Sequence, residues 1–156
     1  MAKNKRGRSS FLLPSRPVIT HWASVAGKKE DEGPLGHTFD VTVRDPYWGQ
    51  DTWEQAEKVM QQTALQKLLE KAGIQNEDLD LVFSGDLLNQ CISSTFGLRG
   101  MDIPFLGQYG ACSTMAQTLI MASIMVECGA ANYACAVTSS HFCTAERQFR
   151  TPLEYG

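Results

Sequence analysis

Cysteines, one aspartate and one histidine carry most of the chemistry this sequence could perform. The five cysteines, Cys91, Cys112, Cys128, Cys135 and Cys143, are odd in number and lack the paired spacing of a disulfide or zinc framework, so they read as free thiols. Cys112 stands apart because Gly110-Ala111-Cys112-Ser113 leads into a long apolar run, which sets its sulfur at a helix N-terminus. Unpaired amides there present roughly half a positive charge, a field that favours thiolate over thiol and also suits a bound carboxylate. Gly110 and Ala111 leave room for a planar anion to lie over the helix end beside Cys112 and Ser113. The plainer alternative is a small core residue, a common fate of cysteine.

Asp86, in Ser84-Gly85-Asp86, either caps a helix or accepts a proton or hydrogen bond from a ligand. His141 follows the last predicted strand together with Thr138, Ser139 and Ser140. It offers a charge or a hydrogen bond to the same ligand, or else is a surface loop histidine. His141-x-Cys143, even with Cys135, is not a zinc spacing, so neither metal nor cofactor is expected. Arg99, Arg147 and Arg150 could neutralise an anion, with a solvated face as the default for each. The candidate ligand-binding set is therefore Asp86, Cys112, Ser113 and His141, with no catalytic residue assigned.

The elements that must position these groups follow from periodicity and punctuation. Residues 17–26 carry Val18, Ile19, Trp22 and Val25 between Pro14 and Gly27, which predicts a strand. Residues 27–50 form a long excursion rich in Gly and Pro, with Phe39, Val41 and Val43 alternating as in a short strand; such a segment covers a site, contacts a partner or is disordered. A helix is predicted after Asp51 as N-cap, with Glu54 as its capping-box partner and Gly73 as its stop. Trp53, Ala56, Met60, Ala64, Leu68 and Ala72 make its inward stripe, and it is assigned no chemistry. Asp80–Ser84, Ile103–Leu106 and Tyr133–Ser139 read as buried strands. Asp86 is placed to cap a second helix through Leu87, Leu88 and Cys91. The third helix, Cys112–Glu127, is apolar nearly all round and is expected to be buried. Strands alternating with helices predict an α/β fold with a mostly parallel sheet covered on both faces. In such sheets ligands gather beyond the carboxyl ends of the strands, where the Asp86 and Cys112 turns would share one edge if their strands are parallel neighbours.

Composition sets the outer bounds. The chain has 156 residues, 43% of them apolar, which suits one domain with a real core. Seventeen acidic against fourteen basic residues give a net charge of −3, so no nucleic-acid partner is called for. Lys3, Lys5, Arg6 and Arg8 make residues 1–14 a basic, flexible tail that could dwell near an anionic membrane. No signal peptide follows it and no transmembrane segment is predicted, so synthesis is expected to end in the cytoplasm.

The run Pro104-Phe-Leu-Gly-Gln-Tyr-Gly-Ala-Cys112-Ser-Thr-Met-Ala resembles the nucleophile turn of the thiolase and ketoacyl-synthase superfamily, in which the active cysteine begins a buried central helix. A closer likeness is to the stage V sporulation protein AD family of endospore-forming bacteria. It is carried by Gly49-Gln-Asp-Thr-Trp-Glu-Gln-Ala-Glu57, Ser84-Gly-Asp-Leu-Leu-Asn-Gln90 and Tyr109-Gly-Ala-Cys-Ser113. The resemblance implies a thiolase-like fold and binding of dipicolinic acid, pyridine-2,6-dicarboxylate, for uptake into the developing spore. It implies a soluble subunit of a channel assembly, peripheral at the inner spore membrane, with Asp86 and Cys112 lining the ligand pocket. Members of the family are about twice as long and built of two similar halves. Residues 15–156 are thus expected to be the N-terminal half-domain, with the C-terminal half absent and an uncovered apolar face that favours association, homo-oligomers included. In thiolase-like enzymes the second half supplies the groups that activate the cysteine, so no enzyme activity is expected. An acyltransferase with Cys112 as nucleophile is the alternative, and a scaffold acting through residues 27–50 is a third.

Overall fold

The computed structural model describes residues 4–150, without the side chains of Gln90 and Arg150. The longest helix shows how local chemistry sets the boundaries. Thr52 Oγ1 accepts from the Gln55 amide at 3.3 Å, and Gln55 Oε1 accepts from the Asp51 amide at 3.2 Å, a capping exchange one residue later than the expected Asp51–Glu54 pair. The helix, α2, runs Trp53–Ala72 and stops where Gly73 turns left-handed at φ 67°, a conformation that costs glycine little. Its buried residues are Ala56, Glu57, Gln61, Leu65 and Leu69, so the inward face is rotated from the expected Met60, Ala64, Leu68 stripe. Two polar side chains consequently enter the interior.

Three parallel strands form the main sheet: β5 (Leu81–Gly85) in the centre, β6 (Phe105–Gly107) on one side and β7 (Ala134–Thr138) on the other. Here β1–β4 are Lys5–Arg6, Ser10–Phe11, Val25–Gly27 and Val41–Val43. Register pairs Val82 with both Phe105 and Cys135. Alternation along β5 then divides the core. Val82 joins Leu65, Leu69, Leu98, Cys135 and Val137 beneath α2 and the short α3 (Ile92–Leu98), while Leu81 and Phe83 meet Ala122 of α4 (Thr114–Glu127) on the opposite face. Full burial of each such leucine contributes roughly 2 kcal/mol. The sulfur of Cys135 lies so deep that burial pushes its pKa up to about 12.

Several expectations are corrected. The basic tail carries an antiparallel hairpin, β1 with β2. Of residues 17–26, only Val25 and Ala26 enter a strand, where β3 pairs in parallel with β4. The excursion is ordered, with a short helix α1 (Lys28–Asp31) whose Asp31 carboxylate takes hydrogen bonds from Thr42 and Arg44. No helix follows Asp86 directly; a 3₁₀ turn at Asn89–Cys91 intervenes before α3. A last helix, α5 (Phe142–Arg150), was not foreseen. Finally, α4 is not buried all round: only Thr114, Thr118 and Ala122 are, while Met115, Leu119 and Ile120 remain 48%, 37% and 46% exposed. It lays one face on the sheet, and no element among the described residues covers the other.

Candidate functional site

Because β5, β6 and β7 are parallel neighbours, the turns bearing Asp86, Cys112 and His141 all leave the same carboxyl edge of the sheet. Close approach at this edge demands glycine at one position in particular. A Cβ on Gly85 would collide with the Gln108 carbonyl and the Thr114 methyl, so the opening of α4 rests directly on the end of β5. Thr138 Oγ1 lies 4.0 Å from Met115 Sδ, bringing the end of β7 under the same helix.

Cys112 occupies a 3₁₀ turn, Ala111–Ser113, immediately ahead of α4, and its side chain is exposed. Ala111 is held left-handed at φ 48°, a strained setting for a residue with a Cβ. The Ser113 hydroxyl donates to the Gly110 carbonyl at 2.7 Å and accepts from Gln117 Nε2 at 3.2 Å. Ser113, the N-cap of α4, makes no side-chain cap hydrogen bond; the Ser113 and Thr114 amides donate instead to the Gly110 and Ala111 carbonyls within the 3₁₀ turn.

Asp86 is the opposite case, 1% exposed with its oxygens fully engaged. Oδ1 accepts from the Leu88 amide at 2.9 Å, and Oδ2 accepts from the Ser94 amide at 2.7 Å and the Ser94 hydroxyl at 2.6 Å. It therefore caps the first turn of α3 from a distance, a task the N-terminal Cys91 does not perform. His141 is also buried, at 7% exposure. Its Nδ1 accepts from the Cys143 amide at 3.2 Å, which leaves Nε2–H to donate to the Pro46 carbonyl at 2.7 Å. The histidine thus fastens the 27–50 excursion to the sheet edge. No hydrogen bond joins Cys112 to Asp86 or His141 among the described residues.

Asp86 and His141 are instead joined through groups the sequence reading passed over. Gln61 Nε2 donates to Ser94 Oγ at 3.0 Å and to Ser139 Oγ at 3.3 Å. Ser139 Oγ donates to Glu57 Oε1 at 2.9 Å. Thr144 Oγ1 stands 2.6 Å from Glu57 Oε2 and 2.8 Å from the His141 carbonyl, but it has one proton for two acceptors. A protonated Glu57 that donates to Thr144, which then donates to His141, satisfies both contacts. Burial pushes the Glu57 carboxyl up and the nearby Asp86 charge adds to the rise, against the pull of the Thr144 and Ser139 hydroxyls. The signal that could have found this network was the i, i+4 series Glu57, Gln61, Leu65, Leu69, in which two polar residues share a stripe with two core leucines.

The three cations are placed elsewhere or outside description. Arg99 borders Ile103 and Pro104 ahead of β6, away from the Cys112 turn. Arg147 pairs with Glu54 and stacks 5.4 Å over the Trp53 ring. The side chain of Arg150 lies outside the described residues. Among the described residues no group of three or more His, Cys, Asp or Glu could hold a metal ion, and no helix is long and apolar enough to cross a membrane.

Comparison with known proteins bears on the whole chain. The family model described as Stage V sporulation protein AD matches residues 7–156. Stage V sporulation protein AD of Bacillus subtilis (strain 168) is 41% identical over 150 residues, which cover 96% of this chain and 44% of that relative. The chain therefore spans less than half the length of the curated relative it matches. With a family match across nearly its full extent, the chain belongs to the stage V sporulation protein AD family of sporulation proteins.

Proposed function

We propose that this chain binds dipicolinic acid through the opening turn of α4, as the N-terminal thiolase-like half-domain of a spore uptake protein and without chemical turnover. The observation that carries this reading is the exposed Ala111–Ser113 turn on the shared carboxyl edge, ahead of an α4 N-terminus that no side chain caps. A flat dianion suits such a turn, since its carboxylates can accept from peptide N–H groups and sit at the positive end of the helix dipole. Cys112 and Ser113 are the contact residues. Asp86 and His141 serve the ligand from behind, by fixing the strand ends on which the turn rests. Lys5, Arg6 and Arg8 in and beside the amino-terminal hairpin favour a peripheral place at an anionic membrane, beside other channel subunits.

Calorimetric titration with dipicolinate tests the reading. Wild type is expected to give a saturable heat, and Cys112→Asp, which sets a fixed negative charge at the helix opening, is expected to weaken binding about tenfold or more, the effect of one desolvated like charge. Equal heats from both folded proteins would reject the site. The second reading, a thiolase-type acyltransferase, is favoured by the accessibility of Cys112 alone. Both ring nitrogens of His141 are engaged, so this histidine is not free to serve as its base. Incubation with an acyl-coenzyme A followed by intact-mass measurement separates the two: an adduct lost in Cys112→Ala would favour the enzyme.

A further inference from the structure

We infer that the amino-terminal hairpin is a docking surface for an anionic lipid membrane, and that it turns the far end of α4, not the Cys112 turn, toward the lipid. The distribution of charge sets this segment apart. Lys3, Lys5, Arg6, Arg8 and Arg16 lie in the first sixteen residues and no acid precedes Glu30, whereas the rest of the chain carries nine Lys and Arg against seventeen Asp and Glu. An anionic surface attracts the first part and repels the second. The hairpin is thus the contact through which the peripheral place proposed above is taken, and its case is independent of dipicolinate binding.

β1 and β2 pair Lys5 with Phe11 and Arg6 with Ser10, around a turn that Gly7 opens at φ 61° and that carries Arg8. A cation and an aromatic ring therefore share one face of the ribbon. Every residue from 5 to 12 is exposed, Phe11 and Leu12 at 51% and 48%. A lone two-stranded ribbon is marginal in water and gains from a surface to lie on. Lipid suits both halves of its chemistry, since headgroup phosphates take the cations while the interface takes phenylalanine and leucine. A nucleic acid would satisfy the charges and leave Phe11 and Leu12 in water. β1 also precedes the stretch matched by the family model, residues 7–156, so the family likeness does not account for it.

The attachment of the hairpin fixes the orientation. Just beyond it the Ser15 amide donates to Glu127 Oε2 at 3.0 Å, and the Ser15 hydroxyl donates to the same oxygen. Glu127 is the last residue of α4 and Cys128 its exposed C-cap. Across 14 residues, at about 1.5 Å each, the helix sets its opening turn roughly 20 Å from this clamp. Two acids at this end are already engaged, Glu127 by Ser15 and Asp80 by the Asn132 and Tyr133 amides. The Cys112 turn then faces away from the membrane.

Vesicle sedimentation followed by iodoacetamide labelling tests both parts. The chain should sediment with vesicles of mixed phosphatidylglycerol and phosphatidylcholine, and not with phosphatidylcholine alone. Lys5→Gln combined with Arg8→Gln removes two surface charges and should weaken that association about twentyfold. Phe11→Ser should weaken it about tenfold. Thermal unfolding should be unchanged in both, because these positions are exposed. On the anionic vesicles Cys128 should label several-fold more slowly, while Cys112 labels as it does in solution. Sedimentation undiminished in both variants would overturn the hairpin as the contact and leave a peripheral place intact, whereas no sedimentation of the wild type would overturn both. Slowing of Cys112 alongside or instead of Cys128 would overturn the orientation. Preference for a DNA duplex over the vesicles would assign the cations to nucleic acid instead.

Discussion

The turns after β5 and β6 leave adjacent parallel strands at one edge, yet they are opposites in chemistry. The β5 turn buries Asp86 and surrounds it with donors, whereas the β6 turn exposes Cys112 and leaves the first amides of α4 without a side-chain cap. A buried charge whose oxygens are all engaged has no capacity for a ligand and every reason to hold structure. An open helix end above a rigid edge has the reverse properties. The difference gives one turn a structural task and leaves the other exposed, where the proposed function places the ligand.

The largest effect should come from breaking the rigid side. Asp86→Ala strands the Ser94 and Leu88 amides in the interior and is expected to cost roughly 3 kcal/mol in urea unfolding. Cys112→Ala should lie within about 0.5 kcal/mol of wild type, as exposed substitutions do. Equal losses would erase the contrast.

The network behind Asp86 should show itself through pH. Glu57 holds its proton more tightly in the folded chain than at its ordinary value of 4.5. Its contribution is therefore fully present below that value and is lost as pH rises through the raised pKa of the folded state. Unfolding midpoints measured from pH 4 upward should fall across that window, and Glu57→Gln should flatten the slope. An unchanged slope in the variant would place the proton elsewhere.

The smallest effect belongs to the open turn. Ala111→Gly relieves a left-handed backbone at φ 48° and should raise stability by about 0.5 kcal/mol, after allowing for the greater freedom of glycine in the unfolded chain. A loss in thermal unfolding would contradict the strain assigned there.

Much of this architecture was legible in the residues because punctuation and period agreed. Gly73 ended α2 and the apolar runs around Val82 and Cys135 became strands, since each signal was local. Cys112 was located correctly at a helix start for the same reason. The burial of α4 was misread because composition reports how apolar a helix is, not whether a neighbour exists to cover it; Met115 and Ile120 remain exposed for want of that neighbour. The Glu57–Gln61 network escaped because both residues look like solvent-facing polar positions until the partners just after β7 and on α5, 78 and 82 residues away for Ser139, are brought to them. α5 itself was hidden by its polar composition, with Phe142 and Phe149 widely spaced.

Alkylation of the two exposed thiols that flank α4 tests the central claim within one molecule, because Cys112 precedes the helix and Cys128 caps its far end. Iodoacetamide labelling followed by peptide mass analysis, with and without saturating dipicolinate, should show Cys112 slowed roughly tenfold and Cys128 unchanged. Equal labelling of Cys112 in both conditions would contradict the assignment of the ligand to the opening of α4.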